Sequence, residues 1–150
     1  MRSRLVLALA LVASMLGATG CDREPANEAV PGVRLGMAPR DVRDRFEGAA
    51  DGGWLTSVGT GTGARDDTVL EWRATGEKSR ATQARFEFHL GMLVAIRAHL
   101  RESIASQRID LTAKTVTVRT PAAGGTDVTI LARDCPTHHA EAESLAAKAP

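Results

Sequence analysis

The sequence predicts an α+β fold: an antiparallel meander sheet with an N-terminal helix and a C-terminal helix packed on one face. Three observations predict it. From Thr68 to Arg101 apolar residues recur at every second position, as in Phe86, Phe88 and Leu90 against Arg85, Glu87 and His89. Clean period-two alternation means antiparallel strands with one face on a core and one face in water. Before it, Val42 and Phe46 stand four apart among charged residues, which is a one-sided helix. After it, Pro136 to Lys148 is rich in Ala, Glu and Lys, which favour helix.

In chain order, Met1 to Gly20 reads as a secretory signal peptide. Arg2 and Arg4 give a positive start, Leu5 to Met15 an apolar run, and Ala18-Thr19-Gly20 a small-residue end. The run is shorter than the roughly 20 residues of a membrane span. Cys21 follows. The junction resembles the lipobox of bacterial lipoproteins, Leu-Ala/Ser-Gly/Ala-Cys, with Ala18 where Leu is usual. The resemblance implies that the leader is cut before Cys21 and that Cys21 carries lipid, palmitate among it. It implies a protein of the bacterial cell envelope, lipid-anchored and facing the periplasm, with the membrane as its partner through that anchor. Several acyl chains hold far more firmly than one. A lipidated Cys21 leaves Cys135 as the one thiol; a Cys21–Cys135 disulfide in a soluble secreted form is the alternative.

Residues 21–31 are then the lipidated cysteine and a polar tether with two prolines. Residues 32–150 form a single domain. Its size suffices for one core without staples. The chain is 43% apolar and 25% charged, as globular domains are, and its net charge is +1. Of 19 basic residues, Arg2 and Arg4 leave with the leader, so 17 face 18 acidic ones. No basic field points to nucleic acid.

Val33-Arg34-Leu35 is an extended entry, and Gly36-Met37 a corner. Pro39 suits a first helical turn, where its missing N–H would be unpaired anyway. Gly48 to Gly53 is a turn, Trp54 to Val58 a strand, and Gly59 to Asp67 a loop. That loop lacks the strand, helix and Gly-Lys-Ser/Thr ending of nucleotide-binding motifs. Leu70 with Trp72, then Phe86 to Leu90, then Val94 to Leu100 are strands. Placing Phe88 opposite Ile96 and Leu90 opposite Val94 requires a Gly91-Met92-Leu93 loop, and sets Glu87 opposite Arg97. Glu102 to Gln107 connects to short strands at Ile109/Leu111, Val116/Val118 and Val128/Ile130, with a turn over Pro121 to Asp127. Asp134 stands near the start of the last helix, whose apolar stripe is Ala142, Leu145 and Ala146.

Lipidated cysteine, tether, Leu35-Gly36-Met37, Val42, Phe46, Gly48 and the hairpin Phe86-Glu87-Phe88-His89-Leu90-Gly91-Met92-Leu93 together resemble the SmpA/OmlA family. Its members are small lipoproteins of the outer-membrane β-barrel assembly machinery and share a fold with β-lactamase-inhibitor proteins. Ala38 departs from the family's capping hydroxyl, no Pro follows Gly48, and about 45 residues beyond Leu100 form a C-terminal extension. The resemblance implies a binding or assembly module that contacts envelope proteins, uses no cofactor and is not an enzyme.

Two groups of residues carry candidate sites. Arg73, Arg85, Arg97 and Arg101, with Arg119, fall on the polar face of the alternation, partly offset by Glu71 and Glu87, and form a possible binding face. Cys135, His138 and His139 are of the types that bind zinc or copper, but structural zinc needs four ligands and no second Cys/His pair occurs. As a helix start the cluster instead buries Cys135 as a small hydrophobe and leaves both histidines in water. Cys135 with a histidine could also form a nucleophile–base pair. The competing reading is thus a small metal-binding or thiol-dependent periplasmic protein.

Overall fold

The computed structural model describes residues 30–57 and 68–149. Cys21, the leader, most of the tether and the loop expected at Gly59–Asp67 lie outside the described residues. The elements are α1 (Pro39–Arg45), a 3-10 turn (Glu47–Asp51), β1 (Gly52–Ser57), β2 (Thr68–Ala74), β3 (Ala81–His89), β4 (Met92–Leu100), β5 (Arg108–Leu111), β6 (Thr115–Ala122), β7 (Gly125–Ala132) and α2 (His139–Ala146). The seven strands form one antiparallel sheet in the order β1-β2-β3-β4-β7-β6-β5. The first four strands meander. The connector after β4 then carries the chain to the far edge, and β5, β6 and β7 step back until β7 closes on β4.

The sheet is buried on different faces in its two halves. On one face Leu70, Phe86, Ile96 and Ile130 form a row of directly opposed residues, and Trp72, Ala84, Ala98 and Val128 form the next. Val42 of α1 and Phe46 cover these rows. Phe46 sits edge-on to Trp54, Trp72 and Phe86, with ring centres 5.9, 4.9 and 5.4 Å away. Such edge-to-face pairs contribute roughly 0.5–1.5 kcal/mol beyond their buried area. On the other face Ala95, Leu131, Val116 and Val118 meet Ala142 of α2. The expectation of both helices on one face is therefore corrected. β4 and β7 belong to both cores and are buried nearly throughout. Their runs Leu93 to Ile96 and Ile130 to Ala132 are continuously apolar, the pattern of a strand covered on two sides.

The tether ends earlier than Pro31, because Val30 is fully buried in the first core. Gly32 has φ of +82°, and a Cβ there would stand 1.9 Å from the carbonyl oxygen of Arg45, so the entry closes on the end of α1 only with glycine. The Gly36-Met37 corner is fixed by strand β4. Gly36 N–H donates to Leu93 O at 2.8 Å, and Leu93 N–H donates to Met37 O at 2.8 Å. β7 pairs with β4 only from Ala95 onward, so the corner occupies the edge that β7 leaves open.

The β3–β4 register differs from the three-residue expectation. Phe86 lies opposite Ile96, Arg85 opposite Arg97 and Glu87 opposite Ala95. A bulge then brings Phe88 opposite Leu93 and His89 opposite Met92. The turn is Leu90-Gly91, with φ of 51° and 75°. Positive φ at both positions matches the twist of flanking strands, and the bulge keeps the apolar face in phase. Leu90 itself is exposed. The turn expected over Pro121 to Asp127 shrinks to residues 123 and 124, since β6 runs through Pro121 to Ala122. β5 ends its pairing at Arg119, so Pro121 stands where β6 is an edge and its missing N–H costs no ladder bond. α2 starts at His139, three residues later than Pro136, with His138 as its cap.

Candidate functional site

The α2 face of the sheet is only half covered. α2 covers β5, β6 and the parts of β4 and β7 at Ala95 and Leu131, while β1 to β3 and the rest of β4 and β7 remain open. The open half is a groove of about 420 Å³ lined by Leu55, Glu71, Arg73, Gln83, Arg85, Arg97, His99, Asp127 and Thr129. Alternation of the strands places these side chains on one face, and the antiparallel register sets them in rows: Glu71, Arg85, Arg97, Thr129, then Arg73, Gln83, His99, Asp127. Arg85 bonds Glu71 at 2.9 Å and Glu87 at 3.0 Å. His99 Nδ1 lies 2.7 Å from Asp127. The floor is thus a mosaic of both signs.

Of the four arginines expected to form the binding face, Arg73, Arg85 and Arg97 line this groove. Arg101 does not: its guanidinium donates to the carbonyls of Ser79 and Gly76, tying the β2–β3 connection to the end of β4. Arg119 points to the α1 face, opposite Val128, and pairs with Asp110 at 3.0 Å.

At the border between groove and helix lies a chain of charged side chains that the sequence only half reveals. Cys135 Sγ is 3.8 Å from His138 Nδ1, and His138 Nε2 is 3.0 Å from Glu87 Oε2. The other oxygen of Glu87 accepts from Arg97 at 3.3 Å, and Arg97 donates to both oxygens of Glu141 at 2.8 and 3.0 Å. Cys135 is 4% and His138 8% exposed, so the expectation of a solvated His138 is corrected while that of a buried Cys135 holds. A buried imidazole needs partners for both nitrogens, and here it has them. The hydrogen bond from His138 holds the Glu87 carboxyl at about 2, against burial and with help from Arg97 and Arg85. The bond to Glu87 raises His138 in turn, against its burial. Burial opposes a charge on Cys135, but hydrogen bonds from His138 and from the backbone at Thr137 and His138 outweigh it, and the thiol is lowered.

His139 takes no part. Its Nδ1 meets the carbonyl of Arg133 at 2.8 Å, and the ring is exposed. Cys135, His138 and Glu87 form a line rather than a cage, because His138 spends one nitrogen on each neighbour. Among the described residues no three His, Cys, Asp or Glu side chains are placed to hold a metal ion. The Cys135–His138 proximity was legible as an i, i+3 spacing. Glu87 was not, since it lies 51 residues from His138 and joins it only once α2 packs on its own face.

Comparison with known proteins leaves the site to stand on its own geometry: no family model, no curated protein and no solved structure matches the chain.

Proposed function

We propose that this chain is a SmpA/OmlA-like lipoprotein of the bacterial envelope, held at the membrane by lipid on Cys21, whose domain binds envelope proteins without catalysis. The observation that supports a binding role is the uncovered half of the α2 face, where Arg73, Arg85, Arg97 and His99 stand beside Glu71 and Asp127 in a shallow groove. Paired charges of both signs around an open trough suit an extended polypeptide, which offers backbone donors and acceptors and side chains of both signs. Such a floor selects a partner by charge complementarity more than by buried area. The Leu35-Gly36-Met37 corner supports the family reading, since its backbone bonds to Leu93 give those residues an architectural reason to be there. Among the described residues no helix is long and apolar enough to cross a membrane.

The test is photo-crosslinking in native membranes. A crosslinker at Gln83, in the groove, is expected to capture one or a few envelope proteins. The same group at Thr117, on the opposite face, serves as the control. Equal capture from both positions, or none from Gln83, overturns the groove as the binding surface. Cys21→Ala is expected to abolish palmitate labelling and shift the protein out of the membrane fraction; unchanged fractionation sinks the anchor.

A further inference from the structure

The Cys135–His138–Glu87 line has more order than a helix start requires. A buried cysteine that served only as a small hydrophobe would need no imidazole at its sulfur, nor a carboxylate fixing that imidazole. Nucleophile, base and orienting acid in sequence is the arrangement by which proteins make a thiol reactive. Residues that pack on the cysteine also line a groove. Cys135 packs with Leu35, Val94 and Ala132, and these three residues line an apolar groove of about 240 Å³ whose rim carries Lys114, Thr115 and Asp134.

We infer that Cys135 is a modification site: a thiol activated by His138 and Glu87 that takes one oxygen from a small hydroperoxide. The 4% exposure of Cys135 admits a reagent of that size and hinders larger ones. The step balances within the site. The thiolate attacks the terminal peroxide oxygen, an S–O bond forms as the O–O bond breaks, and the leaving alkoxide or hydroxide takes the proton of His138. Sulfur loses two electrons to the peroxide, and the products are Cys135 sulfenic acid and an alcohol or water. His138 and Glu87 are positioning residues in this step: one presents the proton, the other holds the ring and its charge. Cys21 is the one other cysteine of the chain. If it is lipidated, no second thiol of the chain resolves the product, which persists as sulfenic acid or is capped by an external thiol.

The charged groups around the pair are Glu87 and its partner Arg85 from β3, Arg97 from β4 and Glu141 from α2. Glu87 favours the protonated imidazole, and Arg97 bridges Glu87 and Glu141.

The experiment uses the full chain carrying Cys21→Ala, so that Cys135 is the single thiol, treated with hydrogen peroxide while folded and then unfolded in dimedone so that the trap reaches the sulfur. Mass spectrometry is expected to show the adduct on Cys135. The rate is expected to rise less steeply from pH 6.5 to 8.0 than that of an unperturbed thiol near pKa 8.5, which gains roughly twentyfold over that range. His138→Gln is expected to slow the reaction at pH 6.5 at least tenfold and to restore the steep profile. No adduct after oxidation of the folded protein, or the steep profile in the parent, overturns the inference. So does His138→Gln with unchanged rate and profile. The pH profile of the parent needs no variant, so the inference stays falsifiable even if His138→Gln fails to fold.

Discussion

α1 and α2 each place one fully buried residue on the sheet, Val42 in a helix of seven residues and Ala142 in one of eight. What surrounds those residues differs. Next to α1 stand Phe46, Trp54, Trp72 and Phe86, four of the five aromatic residues of the chain, in mutual edge or tilted contact. Around α2 the apolar contacts come from Ala95, Val116, Val118 and Leu131, and the helix is tied down by charge: Glu141 to Arg97, Glu143 to Arg133 at 2.8 Å, and His138 to Glu87. A helix of this length is not stable alone in water, so what docks it decides when it is present. The α1 end answers to hydrophobic burial, which is indifferent to pH. The α2 end answers to ionisation and salt.

The largest expected effect comes from breaking the first side of this contrast. Phe46→Ala removes the ring at the centre of three aromatic contacts and leaves a cavity. It should cost about 4 kcal/mol in urea unfolding. Leu131→Ala, in the second core, should cost about 3 kcal/mol, because the site is walled by smaller residues that collapse more easily. Equal costs would mean that the aromatic cluster adds nothing beyond its area.

A middle effect tests the second side. Glu87→Gln leaves His138 without its carboxylate and should cost about 2 kcal/mol near pH 5.5, read by thermal or urea unfolding. The sign follows from the two shifts. Glu87 is held at about 2 in the fold against a usual 4.5, so its contribution is full above 4.5 and fades as pH falls toward 2. His138 is raised above its usual 6.5, so its contribution is full below 6.5 and fades as pH rises through the higher folded value. The gap between parent and Glu87→Gln should therefore be widest between pH 4.5 and 6.5 and narrow on either side. Amide exchange sharpens the point: α2 should lose protection at pH 3 before α1 does. Simultaneous loss in both helices would show that the ionic docking is no weaker than the aromatic one.

The contrast also marks what the sequence could disclose. Alternation located β2, β3 and β4, and the Val42/Phe46 spacing located α1 and the face it caps, because each signal is local and repeats. Placing α2 needed a different reading. Ala95 and Leu131 interrupt the alternation of β4 and β7, and those two interruptions are what a second core looks like along a strand. They are single residues, and an isolated apolar residue on a wet face is ordinary. Glu87 looked like half of a surface pair with Arg97. The two do bond, diagonally, but the partner that shifts the carboxyl is His138, brought in by a connection no spacing specifies. The groove arginines were legible through their alternation. Arg101 and Arg119 were misplaced, one by a bend after β4 and the other by the phase of β6.

The smallest expected effect carries the opposite sign and comes from the β3–β4 hairpin, which lies between the two cores. Leu90 adopts φ of 51° with its side chain 63% exposed. A branched residue in the left-handed region costs energy, and this one recovers little of it by burial. Asn is the residue that a two-position turn followed by glycine favours. Leu90→Asn should thus stabilise the protein by about 0.5 kcal/mol, seen as a rise in urea midpoint with unchanged slope. The register predicts this gain only for a Leu90-Gly91 turn; in a Gly91-Met92-Leu93 loop Leu90 would be a strand residue, and Asn there would destabilise. The direction of one small change in midpoint therefore decides between the two registers, and with them whether Phe86 or Phe88 faces Ile96 in the aromatic core.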